Sequence, residues 1–401
     1  MRQIVFFFIG IFILFPGTKA YSLTLSREAE ISVMTCGPSE LIHAIYGHTA
    51  IRVKDPQQQL DVIFNYGVFS FSAPNFVYRF AKGQTDYMLA IEYYHDFYEG
   101  YKRRGRSIEE QLLNLTEPEK QQLFDFLMDN ARPENREYRY NFFFDNCASR
   151  VRDVIASEID GEVIFSEKSG LNKTFREHVS SYQRVLPWTN FGIQLVLGSP
   201  ADRVATAYQE MFLPDFLLKH FAEAQIITDE GSRPLVKQKK LIRDAGPKTN
   251  PGMKAYTPLT ALLALLLLVV FISYRQYKTA RSHYLIDYFL LLLTGLIGFG
   301  LLWFVFYSEH PAMHPNFNLL WAVPLNLVFL FLWPIKKWRR RIVWYWPALA
   351  VWMSLFLLFS FIVPQTFHPG FYLLSLMMLC RAWLHSSRFL SARKQELLKE
   401  K

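Results

Sequence analysis

Apolar segments long enough to cross a lipid bilayer fill the C-terminal third of this 401-residue chain. A transmembrane helix needs about 20 predominantly apolar residues. Most of the segments approach that length and the last is rather short; they lie at 259–274, 285–307, 319–335, 343–363 and 371–384. We therefore predict an all-α transmembrane bundle of five helices over residues 257–386.

Basic residues predict how this bundle is oriented. Lys and Arg are concentrated in the loops at 275–281 and 336–341 and in the tail at 387–401, whereas the loops at 308–316 and 364–370 contain neither. Loops rich in Lys and Arg stay on the cytoplasmic side of a membrane. The basic tail is therefore expected in the cytoplasm, and the part of the chain before the bundle on the outer side.

The N-terminus favours the same orientation. Residues 1–20 have a short basic start, an apolar core at 4–15 and small residues near Ala20, as secretory signal peptides do. The stretch Thr18-Lys19-Ala20 is an imperfect cleavage site, so retention as an anchor stays open. We expect residues 1–20 to be a signal peptide and residues 21–256 to be an exported domain.

The positive charge of the chain is explained by this topology. The net charge of +9 and the pI near 9.3 owe much to the cytoplasmic loops, so they indicate orientation and contact with lipid headgroups. The sequence contains no DNA- or RNA-binding motif, no metal-spaced Cys/His cluster and no Gly-rich phosphate loop. We therefore expect no nucleic-acid partner, no metal and no cofactor.

The exported domain begins with residues that alternate as strands do. Strands are predicted at 49–53 and 60–67, joined by a turn about Gln57, and the run at 87–94 is typical of a further strand.

Helical signals follow without a regular alternation of strands and helices. Thr116 and Glu119 form a capping box for a helix that runs to about Asn130. The basic run at 102–106 is interpreted as a solvated loop. This mixture predicts an α+β fold for the exported domain.

Cys147 lies where an aromatic, strand-like run at 137–144 changes into a helical pattern. Asp145 or Asn146 is a suitable N-cap, which places Cys147 in the first helical turn. Unpaired backbone N–H groups and the helix dipole favour thiolate at such a position. Cys147 is therefore a candidate nucleophile.

His48 opens the first strand of the predicted hairpin and is the candidate base for this thiol. If the hairpin turns about Gln57, the residue opposite His48 is close to Tyr66. A catalytic imidazole needs a third group to orient it, and Asn65 and Tyr66 are candidates for that role.

A structural alternative stays open for the same cysteine. Cys36 and Cys147 are the two cysteines of the exported part, and such a pair often forms a disulfide in an oxidising compartment. The other exported histidines are interpreted as surface or packing residues; they are His43, His95, His178 and His220.

Six motifs of the exported domain, taken in order, resemble those of the bacterial Lnb-type lipoprotein N-acyltransferases. They are Cys36-Gly37-Pro38, Tyr46-Gly47-His48-Thr49-Ala50-Ile51-Arg52-Val53, Phe64-Asn65-Tyr66-Gly67, Tyr138-Arg139-Tyr140-Asn141-Phe142-Phe143, Asp145-Asn146-Cys147-Ala148 and Leu197-Gly198-Ser199-Pro200-Ala201-Asp202. The resemblance covers about residues 30–225, and the membrane part matches mainly in layout. The order of His before Cys also resembles circularly permuted papain-like thiol folds.

This resemblance implies a cysteine-dependent acyltransferase in the bacterial inner membrane, a multi-pass protein with its N-terminal domain in the periplasm. Cys147 would take an acyl chain from a membrane phospholipid as a thioester, and the N-terminal amine of a diacylated lipoprotein would accept it. His48 would move the protons. The candidates for orienting the base or forming an oxyanion hole are Asn65, Tyr66, Asn146 and Tyr46. The outer loops carry four residues within reach of headgroups or the incoming amine, with interfacial packing as their alternative role; they are Glu309, His310, His314 and His368.

Two other functions remain open at the level of sequence. A membrane-tethered papain-like hydrolase of cell-wall peptide would use the same Cys147 and His48. A non-enzymatic membrane sensor would instead be stapled by a Cys36–Cys147 disulfide.

Overall fold

The computed structural model describes residues 23–69, 74–166, 172–246, 256–279 and 284–399. The predicted signal peptide at 1–20 lies outside these residues. The strands are β1 (Glu30–Cys36), β2 (His48–Asp55), β3 (Leu60–Val68), β4 (Asp86–Tyr93), β5 (Ile108–Leu113), β6 (Glu137–Arg139), β7 (Glu162–Ile164), β8 (Gln225–Thr228), β9 (Gly231–Pro234) and β10 (Val236–Arg243).

Helices occur in both domains of the chain. Those of the N-terminal domain are α1 (Phe76–Lys82), α2 (Tyr94–Arg103), α3 (Glu117–Asn130), α4 (Cys147–Glu158), α5 (Phe175–Tyr182), α6 (Pro187–Val196), α7 (Ala207–Glu210) and α8 (Pro214–Glu223). Those of the C-terminal half are α9 (Pro258–Thr279), α10 (Leu285–Tyr307), α11 (Leu325–Leu332), α12 (Lys336–Ile342), α13 (Tyr345–Phe359) and α14 (Pro369–Lys399).

An antiparallel seven-stranded sheet organises the N-terminal domain, in the order β10-β5-β1-β2-β3-β4-β6. A second, three-stranded sheet contains β7, β8 and β9. The domain thus combines sheets with helices, as the sequence predicts.

The central hairpin of the sheet confirms the predicted turn. Asp55 pairs with Leu60 and Ile51 pairs with Phe64, so the turn occupies residues 56–59. Strand β2 begins at His48, which pairs with Cys36 of β1. His48 therefore lies at an end of the sheet, where a side chain can reach beyond the strands.

Both predicted helix starts are confirmed. The Thr116 side chain accepts a hydrogen bond from the Glu119 N–H, and Glu119 completes the capping box of α3. Asn146 is the N-cap of α4, so Cys147 is the first residue of that helix. An oxygen acceptor at the N-cap satisfies N–H groups that the helix itself leaves unpaired.

The strand predicted at 137–144 is wrong beyond Arg139, where β6 ends. The chain instead makes a tight turn in which Asn141 and Asp145 exchange backbone hydrogen bonds. The Asn141 side chain accepts from the N–H groups of Phe143 and Phe144, at 3.1 and 3.3 Å. Because Asn can hydrogen-bond the backbone just ahead of it, it favours a turn over an extended strand.

The two faces of the large sheet bury different helices. Ile51 and Phe64 pack in one cluster with α3 and α4, whereas Met34 and Ile63 pack in another with α2. Successive side chains of a strand point to opposite faces. Neighbouring residues of β2 and β3 therefore contact different helices. The face on which a residue lies decides whether its side chain can approach His48.

Three helical segments of the C-terminal half are long and apolar enough to cross a membrane: Pro258–Thr279, Leu285–Tyr307 and Tyr345–Ile362. The described residues contain up to four such spans if Pro311–Leu320 and Leu325–Leu332, bent by 45°, are one broken span. The segment predicted at 371–384 is helical as part of α14, but it is not among these candidates. The count of five stays a prediction.

Two loops of the helical half, at 308–316 and 364–370, form hydrogen bonds with the N-terminal domain. In the first loop, Ser308 Oγ donates to the Ala81 carbonyl at 2.9 Å, and the Ser199 N–H donates to the Pro315 carbonyl at 2.9 Å. In the second, the Thr366 N–H donates to the Asp202 carboxylate at 3.0 Å. The loops that the sequence places on the outer side are thus the ones that contact the exported domain.

A buried polar cluster ties α9, α10 and α14 together. The Arg381 guanidinium donates to both oxygens of Asp287, at 2.7 and 2.8 Å, and also to Ser273 and Gln276. His385 lies 3.0 Å from the same carboxylate. The Arg381 and Asp287 side chains are 1% and 2% exposed, so each charge depends on the other for compensation.

We predict that Asp287→Leu destabilises the protein by about 3–5 kcal/mol, because it leaves a buried guanidinium without its carboxylate. The thermal midpoint of the full chain in detergent measures this. The double variant Asp287→Leu/Arg381→Met removes both charges and should recover most of the loss. A single variant as stable as the wild type would contradict the assigned role of the pair.

Candidate active site

The start of α4 is held rigidly by Asn146. Its side-chain oxygen accepts from the N–H groups of Ala148 and Ser149 at 2.8 and 3.0 Å. Its amide nitrogen donates to the carbonyls of Phe142 and Phe212, both at 2.8 Å. Both the oxygen and the nitrogen of this amide are engaged in these hydrogen bonds. Asn146 therefore fixes the position of Cys147 and has a structural role.

The imidazole of His48 is oriented by a chain of two hydrogen bonds. Its Nε2 lies 2.6 Å from Asn65 Oδ1, and the Asn65 amide donates to Glu92 at 2.7 Å. Because the Asn65 oxygen can only accept, Nε2 carries a proton. The other ring nitrogen, Nδ1, is left for the thiol, and this is the tautomer that a general base requires.

Cys147 and His48 shift each other's pKa toward the charged forms. Burial raises the pKa of the Cys147 thiol, but the charge and hydrogen bond of His48, together with the Thr49 and Ala148 N–H groups, outweigh burial and hold that pKa below its ordinary value. Burial lowers the pKa of His48, yet the charge and hydrogen bond of Cys147 and the hydrogen bond of Asn65 outweigh it and raise that pKa. Both shifts favour thiolate beside imidazolium, the reactive form of a nucleophilic cysteine.

Gly67 leaves room for this pair. Its φ of +88° is a conformation that other residues rarely adopt, and a Cβ built there would lie 3.3 Å from the Cys147 Cβ. Tyr140 and Cys147 pack against one cluster, which contains Tyr87. Burial, followed by the nearby Cys147 charge, raises the pKa of the Tyr87 and Tyr140 hydroxyls.

Tyr101 and Arg106 lie on the α2 side of His48, where the Arg106 charge lowers the pKa of His48 without reversing the rise. The rings of His48 and Tyr101 are stacked with an interplanar angle of 13°, and the Arg106 guanidinium lies 4.6 Å from the Tyr101 ring centroid. Arg106 is 4% exposed and donates to the Gly37 carbonyl at 2.7 Å. The interpretation of 102–106 as a solvated loop is therefore wrong for Lys102 and Arg103, which end α2, and for Arg106, whose burial is compensated by aromatic and carbonyl partners inside the domain.

Cys36 and Cys147 are both free thiols, so the disulfide alternative is wrong. Cys36 is fully buried in the cluster beneath α2, whereas Cys147 packs with the cluster on the other face. Burial raises the pKa of the Cys36 thiol to about 12. Cys36 is thus an unreactive packing residue close to the site.

Tyr66 and Tyr46, two further candidates, have partners away from His48. The Tyr66 hydroxyl donates to Asn130 at 2.6 Å, on the face of β3 opposite to Asn65. The Tyr46 hydroxyl accepts from the Gln183 amide, and its ring packs 4.8 Å from the Phe142 ring. Of the residues proposed to orient the base, the structure therefore brings only Asn65 to His48, among the residues it describes.

The outer-loop residues mostly pack against the N-terminal domain. Glu309 accepts from the Gln84 amide, and His310 Nε2 lies 2.8 Å from the Phe80 carbonyl. The His368 ring packs edge-on against Phe191 at 5.1 Å. His314 precedes Pro315 in the first outer loop, whose backbone contacts Ser199.

Sequence reasoning missed Glu92, Tyr101 and Arg106. A register for β3 and β4 would have revealed Glu92, since it pairs with Ile63 and thus lies diagonal to Asn65. Tyr101 and Arg106 reach the site only because α2 folds over the sheet, and no local pattern predicts that. Among the described residues, no group of His, Cys, Asp and Glu side chains is arranged to hold a metal ion.

Comparison with protein families covers both halves of the chain. Residues 21–183 match the Lnb N-terminal periplasmic domain, and residues 249–394 match the Lnb transmembrane domain. No curated protein and no solved structure matches the chain.

We predict that Cys147 reacts with iodoacetamide at a lower pH than an ordinary thiol, whose pKa is about 8.5. Since His48 holds the pKa of Cys147 down, thiolate persists as pH falls until that lowered pKa is passed. His48→Ala should move the midpoint of alkylation upward. Mass spectrometry of the Cys147 peptide from full-length protein measures both midpoints; identical profiles would contradict the pairing.

We predict that Asn65→Ala lowers roughly 100-fold the turnover of any reaction in which His48 acts as the base for Cys147, because the imidazole loses the group that fixes its tautomer. The same variant should raise the alkylation midpoint of Cys147, since the Asn65 hydrogen bond helps to raise the pKa of His48. Glu92→Gln, which keeps an acceptor for the Asn65 amide, is the matched control and should have a much smaller effect. An alkylation midpoint unchanged in Asn65→Ala would exclude this positioning role.

Proposed function

Because the chain belongs to the Lnb family, we propose that this membrane protein of lipoprotein biogenesis is a thiol-dependent lipoprotein N-acyltransferase. The observation that carries the proposal is the interaction of Cys147 with His48, whose ring Asn65 orients, in a domain that is docked on candidate membrane helices. Such a pair supports acyl transfer through a thioester. Its acyl donor is a membrane phospholipid, and its acceptor is the N-terminal amine of a diacylated lipoprotein.

The first half-reaction loads the enzyme. The Cys147 thiolate attacks an ester carbonyl of the phospholipid, and the carbonyl oxygen becomes an oxyanion. Asn146 occupies the Ser149 N–H group and shares the Ala148 N–H group with the thiol, so the N–H groups of Cys147 and Ala148 are the helix-start donors assigned to stabilise that oxyanion. The ester bond then breaks, the imidazolium of His48 protonates the departing alkoxide, and a lysophospholipid leaves.

The second half-reaction discharges the acyl group. The lipoprotein amine attacks the thioester carbonyl while His48, now neutral, accepts the proton that the amine gives up. The C–S bond breaks, an amide forms and Cys147 returns as thiolate. Since one imidazole donates a proton in the first step and accepts one in the second, its fixed orientation serves both.

Location is part of the same proposal. Both substrates lie in the outer layer of a bacterial inner membrane, and a multi-pass chain with its N-terminal domain in the periplasm meets them there. The charge asymmetry of the loops supports this orientation. A thiol helix packed on an antiparallel sheet, with His before Cys in the chain, supports a circularly permuted papain-like fold.

We predict that a strain lacking this protein accumulates diacylated lipoproteins, and that the wild-type chain restores the N-acylated form. Cys147→Ala and Cys147→Ser should reduce N-acylation at least about 1,000-fold, because neither side chain supplies a thiolate. Mass spectrometry of lipoprotein N-termini measures this. Cys380→Ala, which removes a cysteine of the membrane half, is the matched control and should remain active.

The order of steps is tested with purified full-length protein. Phospholipid alone should load Cys147, and a diacylated lipopeptide with a free amine should discharge it into a triacylated product. Blocking that amine should stop discharge without stopping loading. If Cys147 never becomes acylated and the purified protein instead cleaves cell-wall peptides, the hydrolase function would replace the acyltransferase function.

A further inference from the structure

The short helix α1 presents an apolar face that the rest of the described domain leaves uncovered. Val77 is 79% exposed, Tyr78 is 56% exposed and Phe80 is 42% exposed. Large apolar side chains grouped in this way usually mark a contact surface. We call this surface, formed by Val77, Tyr78 and Phe80, the α1 face.

The position of α1 indicates what covers this face. Its last turn is fixed to the end of α10, where Ser308 Oγ donates to the Ala81 carbonyl and the Glu309 N–H donates to the Lys82 carbonyl at 2.8 Å. The Tyr78 ring lies 5.8 Å from the ring of Trp303, in the last turns of α10. The α1 face is therefore beside the outer end of a candidate membrane span.

The neighbouring part of α10 continues the same apolar surface. Phe306 is 74% exposed and Tyr307 is 63% exposed, next to Trp303. Aromatic residues gather at the ends of spans because they suit the headgroup layer. A short helix joined to such an end, with its apolar side outward, suits the same layer.

A row of aromatic rings leads from α1 to the thiol. Phe80 lies 6.1 Å from Phe76, Phe76 lies 5.4 Å from Phe69, and Phe69 lies 4.7 Å from Tyr87. Tyr87 is stacked on Tyr140 at 4.0 Å. Phe69, Tyr140 and Cys147 pack against the same buried cluster, which contains Tyr87. We call these five rings the aromatic track.

We propose that the α1 face lies in the outer lipid layer and that the aromatic track guides one phospholipid acyl chain from this layer to Cys147. An ester in the headgroup layer must leave its neighbours to meet a thiol in a folded domain, and apolar rings keep its chain out of water during the transfer. The delivery step rests on the proposed acyltransferase function, whereas the contact of α1 with lipid is independent of that function.

Contact with lipid is tested by photocrosslinking. A benzophenone amino acid is placed at Val77 in the full chain carrying Cys147→Ala, which is then reconstituted into vesicles of phosphatidylethanolamine and phosphatidylglycerol. The matched control carries the same amino acid at Leu241, which is 56% exposed on β10 at the opposite edge of the sheet. We expect at least fivefold more crosslinked phospholipid at 77 than at 241; equal yields would overturn the placement of α1.

Delivery is tested by comparing two acyl donors on one variant. Val77→Asp puts a charge on the α1 face, so the ratio of Cys147 loading from vesicle phospholipid to loading from a water-soluble short-chain thioester should fall at least tenfold. Leu241→Asp should leave that ratio unchanged. An unchanged ratio in Val77→Asp would overturn the delivery role.

The two proposals fail in different ways. Wild-type protein that loads from neither donor would refute the acyltransferase function and with it delivery, and the crosslinking yield would still decide whether α1 contacts lipid. Loading from both donors with equal crosslinking at 77 and 241 would refute the α1 placement alone.

Discussion

The charge interaction between Cys147 and His48 is the constraint on which the rest of the site depends. Burial opposes the charge of each group, but each supplies the counter-charge of the other, and the pKa of the thiol is lowered while that of the imidazole is raised. That outcome requires both to be held within hydrogen-bonding reach. Asn146 fixes the thiol through the start of α4, and Asn65 fixes the imidazole through β3. The helix and the sheet therefore act as two supports whose contact brings the thiol and the imidazole together.

A second consequence concerns how this site meets a membrane. The N-terminal domain is anchored to the helical half through the outer loops, and α1 is fixed at the end of α10. These contacts hold the domain against the candidate membrane helices, and under the proposed placement of α1 the aromatic track would lie between the lipid surface and the thiol. Inside the bundle, the Arg381 and Asp287 pair locks three helices together at considerable desolvation cost. Docking of this kind suits the proposed acyl transfer, in which both substrates would diffuse in the bilayer.

Local patterns predicted the parts of the site that local physics determines. A capping side chain and a helical spacing were sufficient to place Cys147 at a helix start, and alternation was sufficient to place His48 at a strand start. Asn65 and Tyr66 could not be separated by proximity alone, although strand alternation sends them to opposite faces. Arg106 and Tyr101 depend on how α2 packs, which is a tertiary event. The strand expected at 137–144 ends at Arg139, because the hydrogen bonds of the Asn141 turn outweigh the strand propensity of the aromatic residues that follow.

The central claim is that His48 bears a charge because Cys147 does, and the ionisation of His48 tests it most directly. Exchange of its ring C2 hydrogen with deuterium, followed across pH by mass spectrometry of the full-length protein, reports the pKa of this histidine. The thiolate raises the pKa of His48, whereas burial alone lowers it. The pKa measured in the wild type should therefore lie above that in Cys147→Ser. Equal values in the two proteins would mean that the pair is neutral and would contradict this account.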